Sequence, residues 1–190
     1  IIKGCTVYKA HGGFVVGSEM SGGVRNIFVS GCTFLGSDIG LRFKTTRGRG
    51  GVVEDIYISD INMTDIPAEA ILFDMYYNGK EAAEALKNPE IKKLPVTEET
   101  PAFRRIFIRN IACLGAEHAI YVQGLPEMNV QELHIENSIF HTKHGLTCVE
   151  GDGIQLKNIV FETGSTDPGI HILNSRNLTL ENVQISGKAK

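Results

Sequence analysis

The sequence predicts an all-β chain wound as a parallel β-helix. Three observations carry that prediction: one strand pattern recurs along the chain, a second strand follows each copy at a nearly fixed offset, and each copy contains a bend at Gly, Asp or Asn. The composition agrees. Ile and Gly each number 21 among 190 residues, Trp is absent, and apolar and charged residues make up 42% and 22%. Such a chain is globular, of one-domain size, and richer in β-branched residues and turn formers than in helix formers. We therefore treat 1–190 as one β-helix domain.

The recurring pattern alternates apolar and polar residues on both sides of the bend. Full copies run over Ile27–Phe34, Ile56–Met63, Ile106–Cys113, Leu133–Phe140, Ile154–Phe161 and Leu178–Ile185, and a shortened copy covers Ile2–Val7. Its third position falls at 2, 29, 58, 108, 135, 156 and 180, so the spacings are 27, 29, 50, 27, 21 and 24 residues. About seven coils result, one of them carrying a long insertion at about 75–102. A coil of this kind cannot bury its inner face alone, so coils stack and share one core. The bend residues are Gly31, Asp60, Asn110, Asn137, Asn158 and Asn182, and Gly, Asp and Asn tolerate a left-handed backbone there. Side-chain amides at that corner can pair between coils.

The second strands are Phe14–Val16, Leu41–Phe43, Ile71–Phe73, Ile120–Val122, Leu146–Cys148 and Ile170–Ile172. A small residue precedes each: Gly13, Gly40, Ala70, Ala119, Gly145 and Gly169. A leucine-rich repeat lacks this frame and needs a helical half, and a β-sandwich lacks self-similar coils. The one helical pattern, Glu81–Lys87, falls inside the long coil and is expected to decorate the stack as a short helix.

A net charge of -3 gives no electrostatic footprint for nucleic acid, and no apolar run reaches the roughly 20 residues of a membrane span. Four cysteines, at 5, 32, 113 and 148, form no C-x-x-C pair and occupy inward-facing positions of the repeat, so free core thiols are expected, with a Cys5–Cys32 bridge between adjacent coils as the alternative. No cluster of acids suggests calcium, and no metal or cofactor is expected. The remaining histidines, His118, His134, His141, His144 and His171, receive no role.

One charged group breaks the interspersed pattern. In a strand, residues two apart share a face, so Arg42 and Lys44 point outward together while Leu41 and Phe43 enter the core. The neighbouring outward positions are Val15 and Gly17 in one coil and Leu72 and Asp74 in the other. Two arrangements fit: a grip on an anionic substrate group, or a surface ion-pair ladder with Asp74 beside Lys44. The Gly-rich loop that follows adds Arg47 and Arg49, placed for a further anion or for a solvated turn.

These residues resemble glycoside hydrolase family 28, the polygalacturonase-like pectinases of the pectin-lyase-like solenoid class, and in particular its bacterial branch. The family's Gly-His-Gly segment and following Gly-Ser are matched by Ala10-His11-Gly12 and Gly17-Ser18, its Arg-Ile-Lys strand by Arg42-Phe43-Lys44, and its next tyrosine by Tyr76, with Tyr77 and Tyr121 as alternatives. The resemblance implies a right-handed helix and inverting hydrolysis of α-1,4 galacturonosyl bonds in pectin or polygalacturonate. It also implies an auxiliary catalytic role for His11, substrate binding by Arg42, Lys44 and Tyr76, and a secreted or periplasmic location. The family's catalytic aspartates, in Asn-Thr-Asp and Asp-Asp segments, lie upstream of the histidine segment, and the ten residues before His11 contain no acid. The chain is accordingly expected to be the C-terminal portion of such an enzyme, inactive alone, with pectic polysaccharide and its own missing N-terminal coils as partners. Other expectations from residue pattern are a non-catalytic module binding acidic polysaccharide and a structural β-helix. Endo and exo action are both open, the long coil being placed to wall off one end of a cleft.

Overall fold

The computed structural model describes residues 1–77, 93–164 and 169–187. The chain is a right-handed parallel β-helix. Among the described residues eleven strands, β1 (Ile2–Lys3), β2 (Thr6–Tyr8), β3 (Phe14–Val16), β4 (Val24–Leu35), β5 (Leu41–Lys44), β6 (Val52–Asp74), β7 (Ala102–Gln123), β8 (Val130–Val149), β9 (Gly151–Thr163), β10 (Ile170–Leu173) and β11 (Thr179–Gly187), form one continuous sheet. The long strands turn corners without breaking their ladders, so β6, β7 and β8 each go around most of a coil. Every pairing is parallel, as successive turns of one coil must be.

The register is the one the repeat predicts. Ile2, Val29, Ile58, Ile108, Ile135, Leu156 and Leu180 stand in one column, each opposite the next. Phe14, Leu41, Ile71, Ile120, Leu146 and Ile170 form the column of the second strand. Inward residues of these columns make one core, in which Phe43 and Phe73 stack at 4.5 Å and meet Phe103 edge-on. Burying each such ring contributes about 1.5–3 kcal/mol before the entropy of ordering is subtracted.

The corners explain the polar punctuation. Gly4, Gly31, Asp60, Asn110, Asn137, Asn158 and Asn182 all have positive φ, from 50° to 63°, a conformation in which a Cβ is costly except in Asn and Asp. Their side chains pair along the axis: Asn110 Nδ2 donates to Asp60 Oδ1 at 2.8 Å, Asn158 Nδ2 to Asn137 Oδ1 at 2.8 Å, and Asn182 Nδ2 to Asn158 Oδ1 at 2.9 Å. A second left-handed column, Asn26, Asp55, Arg105, Glu132, Gly153 and Asn177, precedes the first strand position and is not evident from residue type. Arg105 is held there by Asp55 and Glu54, with nitrogen to oxygen distances of 2.8 Å. Small residues before β5 and its neighbours are steric requirements, since a Cβ on Gly40 would lie 2.4 Å from Met63 Sδ and 2.5 Å from the Ala70 carbonyl.

All four cysteines are free and three are buried, whereas Cys5, expected to face inward, is exposed, since the described strands pair with its coil on one side only. The helix expected at Glu81–Lys87 lies outside the described residues.

Candidate functional site

The site is built by β5. Its alternation places Leu41 and Phe43 in the core at 0% exposure and leaves Arg42 and Lys44 half-buried on the outer face. Val15 lies opposite Arg42 on one side and Leu72 on the other, and Asp74 lies opposite Lys44. Small groups below give these cations room. Gly17, at φ +94°, lets the first coil run against Lys44, where a Cβ would come within 1.9 Å of its carbonyl oxygen.

His11 joins them from the loop before β3. Arg42 Nη1 donates to the His11 carbonyl at 3.4 Å, a long bond. The His11 ring is 93% exposed, and its Nδ1 lies 2.6 Å from Asp38 Oδ2, so Asp38 orients the imidazole and leaves Nε2 to face outward chemistry. His11, Arg42 and Lys44 therefore stand close together, as their order along consecutive coils suggests. The Asp38 contact was invisible to pattern reading, because Asp38 stands in a bend 27 residues away.

The tyrosine beside the cations is Tyr77. Lys44 Nζ stands 4.2 Å and the Arg42 guanidinium carbon 5.5 Å from its ring centroid, within the range of cation–π attraction. Tyr76 is 3% exposed and packs in the core below Arg47, whose guanidinium lies 5.3 Å from the ring. Burial pushes the Tyr76 phenol up to about 12. Strand alternation ends at Asp74, so sequence gave no means of deciding between the two.

Arg47 and Arg49 are engaged elsewhere in the structure. Arg47 makes two bonds to the buried Glu127 carboxylate, at 2.6 and 3.0 Å, fastening the Gly-rich loop to a segment 80 residues on, and Arg49 pairs with Glu19. Burial alone would raise the Glu127 pKa, but the hydrogen bonds and charge of Arg47, together with backbone N–H groups of Glu127 and Leu94, outweigh it and hold the carboxyl below its ordinary value.

Behind the cations lie two acids. Burial pushes the Asp74 carboxyl up, against the Tyr76 backbone N–H at 2.8 Å and the charges of Arg42 and Lys44. Burial likewise raises Glu69, which Arg42 opposes. Glu69 follows an irregularity in the β6–β7 register, which is why the repeat did not point to it. Tyr121, opposite Leu72, has its phenol pushed up to about 12 by burial, and its ring meets His118 edge-on at 5.7 Å. Lys44 forms no ion pair with another described residue, so the predicted Lys44–Asp74 contact is electrostatic proximity rather than a bridge. No group of three or more metal-ligating side chains occurs among the described residues.

A right-handed parallel β-helix with two cations and an imidazole on one outward face belongs to the class of solenoids whose stacked coils set side chains in rows along the outside. The family follows from comparison. A family model described as "Glycosyl hydrolases family 28" matches residues 1–100, and the chain belongs to that family. It is 27% identical, over 73% of its length, to a probable polygalacturonase of Vitis vinifera, and 30% identical, over 60% of its length, to a polygalacturonase of Ralstonia solanacearum. It spans 27% and 19% of those relatives. Among solved structures, a hyperthermoactive exopolygalacturonase from Thermotoga maritima superposes with a TM-score of 0.67 at 26% identity, covering 82% of this chain and 33% of that one. A family 28 exopolygalacturonase of Yersinia enterocolitica shares the fold, with a TM-score of 0.55 at 16% identity over 97% of this chain and 30% of that one.

Proposed function

We propose that the chain is the substrate-positioning part of a longer, secreted polygalacturonase that hydrolyses α-1,4 galacturonosyl bonds with inversion. The observation that carries this is the pairing of Arg42 and Lys44 on one face, beside His11 and roofed by Tyr77. Two adjacent cations in a partly desolvated setting match the carboxylate of a uronic acid, and the fork of Arg42 permits bidentate pairing. The polygalacturonases it resembles, and the fraction of their length it covers, support the same reading.

Inversion requires one carboxylic acid to protonate the leaving oxygen and a carboxylate to activate water on the opposite face. In this reading those carboxylates belong to coils preceding residue 1, and the 190 residues alone do not turn over substrate. Arg42 and Lys44 hold the sugar beside the scissile bond, an orientation effect. His11, steadied by Asp38, hydrogen-bonds near the acid through Nε2, and the Tyr77 ring packs on the cations and the sugar, the role that sequence gave to Tyr76.

The test uses the longer parent protein, polygalacturonate and a reducing-end assay. Arg42→Ala and Lys44→Ala are each expected to lower kcat/KM about 10- to 100-fold, the worth of a charge-assisted hydrogen bond. Near-normal turnover in both variants would remove these residues from the site. Proton NMR of the first products reads the stereochemistry: the β-anomer appearing first supports inversion, and the α-anomer opposes it.

A further inference from the structure

A second surface of the solenoid is also organised as a row. On the outer face of the first strand of each coil, Phe28, Tyr57, Phe107 and His134 stand opposite one another in register. Their rings stack in sequence, with centroids 4.9, 5.2 and 4.9 Å apart and planes within 10°, 8° and 23°. This ladder is not core, since Phe28 is 47% and Tyr57 39% exposed. Two residues further along each strand runs a parallel polar row, Ser30, Ser59, Arg109 and Glu136. Between the rows is a groove of about 460 Å³ whose floor is the strand backbone. It lies on a different side of the coil from β5, separated from it by the left-handed corners at Asp60 and Asp65.

The rows constrain the occupant. Both walls advance once per coil, at the roughly 4.8 Å spacing of stacked strands, so the groove offers a ring on one side and a polar side chain on the other at each axial step. A repeating polymer lying along the axis meets that periodicity, whereas a single small molecule would use one step of it. One wall is aromatic, suited to the apolar faces of sugar rings, and the other carries hydroxyls, a cation and an acid, suited to sugar hydroxyls and carboxylates. Arg109 is exposed and bonded to no other described residue; Glu136 stands opposite it in the row, and Asp60 at the neighbouring corner, which feels its charge, is already bonded to Asn110 and Ser59. It is the cation in this groove open to an external carboxylate.

We infer that the groove between the Phe28–His134 ladder and the Ser30–Glu136 row is a non-catalytic binding site for an extended acidic polysaccharide, separate from the Arg42–Lys44 face. The choice of an acidic chain rests on the proposed function; the groove's fit to a polymer does not. Such a site holds the substrate chain to the enzyme while the cleft acts elsewhere along it.

Affinity electrophoresis of the chain in native gels cast with polygalacturonate, or with neutral galactan, tests this. In an Arg42→Ala/Lys44→Ala background the retardation by polygalacturonate is expected to persist. Adding Tyr57→Ala or Arg109→Gln is expected to weaken it about tenfold, and galactan is expected to retard much less. Arg109→Gln alters only an exposed side chain, so it decides the matter should Tyr57→Ala fail to fold by circular dichroism. The inference is overturned if the double variant already loses all retardation, if neither added substitution changes it, or if galactan retards equally. It is also overturned if sedimentation shows that the ladder is covered by a second copy in a dimer that Tyr57→Ala dissociates. Failure of the proposed function is read separately, as a longer parent that does not hydrolyse polygalacturonate, and that result leaves the gel comparison intact.

Discussion

Asp38, a bend residue to which the repeat assigns no role, holds the His11 ring through its carboxylate at 2.6 Å. Asp38→Asn preserves size and removes the charge, so in the longer parent it is expected to lower kcat severalfold with little change in KM. His11→Ala should give a similar loss, and the double variant should lose little more, because the two act as one unit. Arg42 and Lys44 could be placed from sequence because alternation within β5 forces them outward. Tyr77 could not be chosen over Tyr76, since beyond Asp74 no strand period remains to set direction. Arg47 was equally out of reach, its partner Glu127 being 80 residues away with no pattern joining them.

The corners set the limits at the level of elements. Asn158 both donates to Asn137 and accepts from Asn182, in a backbone conformation that an ordinary side chain resists. Asn158→Ala is expected to cost about 1–3 kcal/mol, combining the left-handed penalty with the lost amide bonds. Asn158→Gly keeps the backbone and should cost less, a difference readable from denaturant midpoints. This first corner could be anticipated because its occupants are all Gly, Asp or Asn. The second column was missed because it includes Arg105 and Glu132, whose types suggest nothing; at Arg105 the acids Asp55 and Glu54 hold the turn in place instead.

Across the whole molecule, two sets of acids pull stability in opposite directions with pH. Hydrogen bonds from Arg104 to Glu54, and from Arg105 to Asp55, hold these carboxyls below their ordinary values, so their contribution is present above the normal carboxylate range and fades as pH falls through it. Asp74 and Glu69 are raised by burial, so the folded state holds protons that the unfolded chain has released, and stability declines as pH rises above the ordinary carboxylate values. Asp74→Asn is thus expected to raise the melting temperature at pH 7 relative to the unsubstituted chain and to narrow that advantage near pH 4.

The step from Ile58 to Ile108 takes 50 residues and that from Ile135 to Leu156 takes 21, yet both advance the column by one place. Axial address is thus independent of how much chain lies between addresses. A segment exchanged between two coils would change what projects from the side of the rod without displacing Arg42, the aromatic ladder or anything further along. The solenoid behaves as a ruler whose markings stay fixed while its margins are rewritten, which makes its lateral loops the natural place to graft new specificity.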